Sequence, residues 1–142
     1  MVALTQEAAL AIVKSLGVAP VGNYLWGRRT GSSASHVVFD ITSNPALYGD
    51  LFERPVLLVF TAETLWVYPL SGRHEGRPEA LATADISDFR VSNTLTEKRL
   101  DMRVAGKGRH FRFPADRRGG MAYNGENLAY LTTIDWYGLV GK

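Results

Sequence analysis

The chain has 142 residues, 46% of them hydrophobic and 21% charged, a balance that excludes a disordered or fibrous chain and fits one globular domain over 1–142. It has no cysteine, which excludes disulfides, thiol catalysis, iron–sulfur clusters and cysteine-ligated zinc. Its net charge of +2 is too small to announce a nucleic-acid or membrane partner, and no run approaches the ~18 consecutive apolar residues of a membrane span.

Residues 5–16 read as an amphipathic helix. Thr5 is its N-cap, Glu7 lies in the first turn, and Ala9, Ile12, Val13 and Leu16 share one face before Gly17 closes it. Glu7 and the lack of a basic leader set the segment apart from a secretory signal, so the cytoplasm is the expected location. Strands follow over 23–28 and 36–42, joined by the polar loop 30–35, and a connection over 43–54 carries Asn44-Pro45 and Gly49. The runs 56–60 and 65–70 are apolar on nearly every residue, as in strands covered on both faces. After the polar turn 71–78, an irregular strand over 80–91 needs a bulge or short turn, because Ile86 is out of parity with Phe89 and Val91.

The segment 99–113 is a hairpin. Leu100, Met102, Phe111 and Phe113 alternate with Arg99, Asp101, Arg103, His110 and Arg112. A two-residue turn at Gly106-Lys107 pairs Leu100 with Phe113, Met102 with Phe111, Asp101 with Arg112 and Arg103 with His110. Val104 then falls opposite Arg109, a mismatch that calls for a bulge near Gly108 or a different turn. Residues 124–138 read as a helix with Asn124 as N-cap and Leu128, Leu131 and Ile134 on its apolar side.

This order resembles the pleckstrin-homology-like domains, in particular the small bacterial (GRAM-like) ones. The local likeness is the hairpin from Pro55 to Tyr68, with its Thr61-Ala-Glu-Thr64 turn, and the irregular strand from Ala84 to Val91; Thr64 stands where those domains often carry arginine. The resemblance implies a mainly β fold: a partly open barrel of about seven antiparallel strands in 23–114, a short N-terminal helix, and the C-terminal helix plugging one end.

No sequence motif of catalysis or of phosphate binding is present. His36, His74 and His110 have no metal-ligand spacing, so neither metal nor cofactor is expected. Ser32, Ser33 and Ser35 read as loop serines, and Asp85 and Asp88 as turn and bulge residues. Two basic features remain. Arg28 and Arg29 enter the 30–35 loop, where Gly31 and Ser32 supply hydrogen-bond donors, so Arg28, Arg29, Gly31 and Ser32 form a candidate anion site. Set against the resemblance, this cradle is half missing, because 36–42 has no lysine or arginine, and two arginines promise only weak, salt-sensitive attraction to anionic membranes. Arg99, Arg103, His110 and Arg112 share one face of the hairpin and form a candidate interaction face; no aromatic residue alternates there to stack on bases, so no nucleic acid is expected. The sequence favours a non-catalytic module binding a protein partner or itself. The alternatives are a weak binder of anionic lipid or phospho-ligand, and a small enzyme whose pocket the sequence does not display.

Overall fold

The computed structural model describes residues 4–30, 54–94, 97–115 and 119–141. The predicted strand 36–42, the connection 43–53, Gly31 and Ser32 lie outside the described residues.

The N-terminal helix α1 spans Gln6–Ser15, capped by Thr5, whose Oγ1 accepts a hydrogen bond from the Ala8 amide at 3.2 Å. Seven strands follow among the described residues: β1 (Tyr24–Thr30), β2 (Arg54–Phe60), β3 (Thr64–Pro69), β4 (Glu79–Ala82), β5 (Ile86–Asn93), β6 (Glu97–Val104) and β7 (Lys107–Pro114). They form one antiparallel sheet in the order β4-β3-β2-β1-β7-β6-β5, rolled but not closed, with β4 and β5 as its edges. The C-terminal helix α2 spans Ala122–Thr133. Among the described residues no helix is long and apolar enough to cross a membrane.

The inside of the roll is one apolar cluster. It draws Leu25 from β1, Leu58 and Phe60 from β2, Leu81 from β4, Ile86 and Phe89 from β5, Leu100 and Met102 from β6, and Phe111 and Phe113 from β7. The outside of β1–β3 forms a second cluster: Tyr24, Leu57 and Val59 are buried against Ala9 and Val13 of α1. Strand β2 is therefore buried on both faces, as its unbroken apolar run predicts. Gly27 marks the crossing of β1 over β7; a Cβ there would lie 2.5 Å from the Arg112 carbonyl oxygen, so only glycine lets the strands approach.

The predicted strand 80–91 is two strands separated by a 3₁₀ turn over Thr83–Asp85. The expected irregularity is a bulge between Ser87 and Arg90, with Asp88 at φ 52°, which brings Ile86, Phe89 and Val91 to the same face. The β6–β7 register differs from the expected one. Leu100 pairs with Phe111, Asp101 with His110, Arg99 with Arg112 and Met102 with Arg109. The turn residues are Ala105 and Gly106, both at positive φ (51° and 82°), as in a type I′ turn. The slip is two residues, which leaves every side chain on its predicted face: Leu100, Met102, Phe111 and Phe113 are all buried.

Helix α2 also departs from expectation. It begins before Asn124, so that residue is not a cap. It ends at Thr133, and Asp135, Trp136, Tyr137 and Gly138 then make a left-handed turn at φ between 52° and 80°. Each non-glycine residue held there costs about 1 kcal/mol. The turn carries Trp136 back into the core, where its ring lies 5.3 Å from Phe60 and 5.7 Å from Phe89. The end of the roll is thus plugged by Leu131, Trp136 and Leu139, all 3% exposed or less, while Leu128 and Ile134 sit at the margin.

Candidate functional site

Among the described residues nothing closes the end of the roll away from α2. Strand parity decides what lines it. Arg29 has the same parity as Leu25 and faces inward, Arg54 stands directly opposite it on β2, and Arg109 has the parity of Phe111 and Phe113. Glu79, two residues before buried Leu81, also faces in. The β3–β4 loop closes one side and adds Arg73, His74 and Arg77. Its backbone is folded on itself: the Gly76 amide donates to the Pro69 carbonyl at 3.0 Å and the Arg77 amide to the His74 carbonyl at 3.0 Å.

These residues surround a cavity of about 540 Å³ floored by Val56, Val67 and Pro69. Among the described residues, five arginines line it against one carboxylate, Glu79. Arg109 holds Glu79 bidentately, Nη1 to Oε1 at 2.7 Å and Nη2 to Oε2 at 2.8 Å. That hydrogen bonding brings the Glu79 carboxyl below its ordinary value; partial burial opposes the shift, and the charges of Arg109, Arg29 and His74 add to it. Crowding by protein atoms, then the Arg109 charge, lower the Arg29 guanidinium from its usual value, and Glu79 offsets this in part. Among the described residues, Arg29, Arg54, Arg73 and Arg77 have no carboxylate within ion-pair distance.

The sequence candidates divide between two faces. Arg28 and Arg29 do not act together: both belong to β1, so they alternate, and Arg28 points outward to an ion pair with Glu97. Gly31 and Ser32 lie outside the described residues. Arg99, Arg103, His110 and Arg112 do share the outer face, as expected, and Arg28 joins them through its pairing with Arg112. Asp101 ties the group together, accepting from Arg99 Nε at 3.0 Å and lying 2.5 Å from His110 Nδ1. Burial works against its ionisation, but the bonds from Arg99 and His110 outweigh it and hold its carboxyl below the usual range. Asp88 sits on the bulge beside Arg103 at 3.5 Å, with both side chains in solvent. Of the late aromatics, Tyr123 and Trp136 are buried and Tyr130 and Tyr137 pack at the core margin, so they form no exposed patch. Among the described residues no group of three or more histidine, aspartate or glutamate side chains gathers as for a metal.

Arg54, Arg73, Arg77 and Arg109 were not read as site residues from the sequence. The signal for Arg29 and Arg109 was parity, an arginine in phase with core residues at the end of a strand.

Glu79 and Asp101 make stability acid-sensitive. Their carboxyls ionise more readily in the folded chain than at the ordinary values of 4.5 and 3.8. The unfolded chain therefore takes up more protons in acid; the stabilisation is full above those values and is lost as pH falls through the folded ones. The melting temperature should drop as pH falls below about 5, and less steeply in a Glu79→Gln, Asp101→Asn variant. An equal drop in both proteins would contradict this assignment.

No protein-family model matches the sequence, and no curated protein matches it.

Proposed function

We propose that the chain is a non-catalytic, pleckstrin-homology-like binding module whose open end takes a small polyanion, the phosphorylated headgroup of a lipid or a soluble phosphorylated molecule. The observation that carries this is the register Arg29↔Arg54 inside the cavity. Like charges directly opposite on neighbouring strands repel and weaken the sheet. Among the described residues neither guanidinium has a carboxylate within ion-pair distance, and Glu79 offsets Arg29 only in part; a bound anion would supply the missing charge. Arg73 and Arg77 add mobile-length side chains able to close on the same ligand. The resemblance in strand order and the C-terminal plug support the module, and the charge of the open end supports the ligand.

The weak attraction expected from two arginines rested on counting Arg28 and Arg29. Arg28 is on the other face, and Arg54, Arg73, Arg77 and Arg109 replace it. Charge-assisted hydrogen bonds contribute about 1.5–3 kcal/mol each. Three or four of them, less the ordering of the side chains and the immobilisation of the ligand, give a Kd of about 10–100 µM at low salt.

Inorganic triphosphate and phosphatidylcholine vesicles containing phosphatidylserine test the reading. Triphosphate should bind one per chain, and Glu79→Gln, which frees Arg109, should tighten it about threefold or more. Vesicle binding displaced by triphosphate identifies a headgroup ligand; triphosphate binding without vesicle binding identifies a soluble one. If neither probe binds, the reading is wrong.

A further inference from the structure

The β3–β4 loop brings one more kind of group to the open end. Among the described residues lining the cavity, His74 is the one histidine. It stands with Arg29 of β1, Arg54 of β2, Glu79 of β4, Arg109 of β7 and its own loop neighbours Arg73 and Arg77. Strand β3 contributes Val67 and Pro69, both uncharged, and Glu75 does not line the cavity. The main chain around His74 is pinned. The Glu75 amide donates to the Gly72 carbonyl at 3.2 Å and the Arg77 amide to the His74 carbonyl at 3.0 Å, while Gly72 and Gly76 turn at positive φ (82° and 73°). A fixed backbone therefore carries the imidazole at the rim of the cavity. The residue itself is exposed, so its ring exchanges protons with solvent without unfolding.

The other charged groups of the cavity keep a fixed charge between about pH 5 and about pH 8, the interval in which histidine is the side chain suited to change its own. Guanidinium groups stay protonated there. The Glu79 carboxyl, held below its ordinary value chiefly by its hydrogen bonds from Arg109, stays ionised. We propose that the open end is a proton-linked site: its polyanion binds with uptake of a proton at His74 and is held more tightly in mild acid than in mild base. This rests on the polyanion reading above and adds the regulation of that site. A charged imidazole adds one cation and makes both ring nitrogens donors, and a polyanion is the ligand that uses both. The linkage is reciprocal, since an anion that favours the charged ring is favoured by it to the same factor. Glu79 does not cancel the effect, because Arg109 already holds its two oxygens, at 2.7 and 2.8 Å. His110 takes no part in the cavity; it lies on the other face of the sheet, against Asp101. A site built this way takes up its ligand as the surroundings acidify and releases it as they become alkaline.

The test is titration calorimetry of the full chain with sucrose octasulfate, whose sulfate groups keep their charge throughout this interval, whereas triphosphate itself titrates there. Affinity should rise about fivefold or more from about pH 8 to about pH 5.5. Binding enthalpies measured at one pH in two buffers of different ionisation enthalpy should differ by the amount that proton uptake requires, a readout that needs no variant. His74→Gln should bind at every pH with the affinity the wild type shows in mild base. His74→Lys, charged throughout, should keep in mild base the affinity the wild type shows in mild acid. An affinity that does not change with pH, enthalpies that do not depend on the buffer, or a pH slope that survives in His74→Gln would each overturn the proton link and leave the polyanion reading standing. No binding at any pH would overturn both.

Discussion

A chain ending at Ala122 should show no cooperative melt and should bind a hydrophobic dye. The missing segment carries Leu131, Trp136 and Leu139, each 3% exposed or less. Burial of each such side chain contributes about 1.5–3 kcal/mol, against a total stability for a domain of about 5–15 kcal/mol. Their removal also uncovers Phe60, Phe89 and Phe113, which Trp136 touches. A cooperative melt by calorimetry near that of the full chain would show that the C-terminal segment is an appendage.

Asn124→Leu should destabilise the chain by about 3–5 kcal/mol in urea denaturation. Strands β1 and β7 pair only over Arg28–Thr30 and diverge towards Trp26. Asn124 fills the gap from α2. Its Oδ1 accepts from the Trp26 amide at 2.9 Å, and its Nδ2 donates to the Trp26 carbonyl at 2.6 Å and the Pro114 carbonyl at 3.1 Å. One side chain thus stands in for a missing strand partner, and Asn127 repeats the device on the Tyr24 carbonyl at 2.9 Å. Leucine in place of Asn124 would strand three part-buried backbone groups, each costing about 1–3 kcal/mol. A loss below about 1 kcal/mol would mean that water satisfies them.

What the sequence made legible follows the two-residue period of strands. That period set the faces of Leu100, Met102, Phe111 and Phe113 and required the bulge before Phe89, and both are observed. It is blind to a slip of two, which moves no side chain to the other face. The turn was therefore placed one position late, and the mismatch of Val104 with Arg109 was its trace: in the structure Val104 meets Lys107, and Arg109 reaches Glu79. The left-handed turn at Trp136 left no mark, because no propensity predicts three successive non-glycine residues at positive φ; burial of the indole decides it.

The site was legible only in part, for the same reason. Reading Arg28 and Arg29 as a unit ignored that neighbours in a strand face opposite ways. Once β1 runs to Thr30, one arginine belongs to each face. Arg54 was hidden because β2 is apolar on both sides, so its parity distinguished nothing. Arg73 and Arg77 are loop residues placed by a backbone fold that sequence periodicity does not encode. On the outer face, alternation grouped Arg99, Arg103, His110 and Arg112 but did not show that Arg28 joins them or that Arg99 is buried.

The most direct test of the proposed site sets these two neighbours against each other. Titration calorimetry with triphosphate should give Arg28→Gln an affinity within about twofold of the wild type and weaken the Arg29→Gln, Arg54→Gln variant at least about tenfold. Wild-type affinity in the double variant, or an equal loss in Arg28→Gln, would contradict a polyanion site at the open end of the sheet.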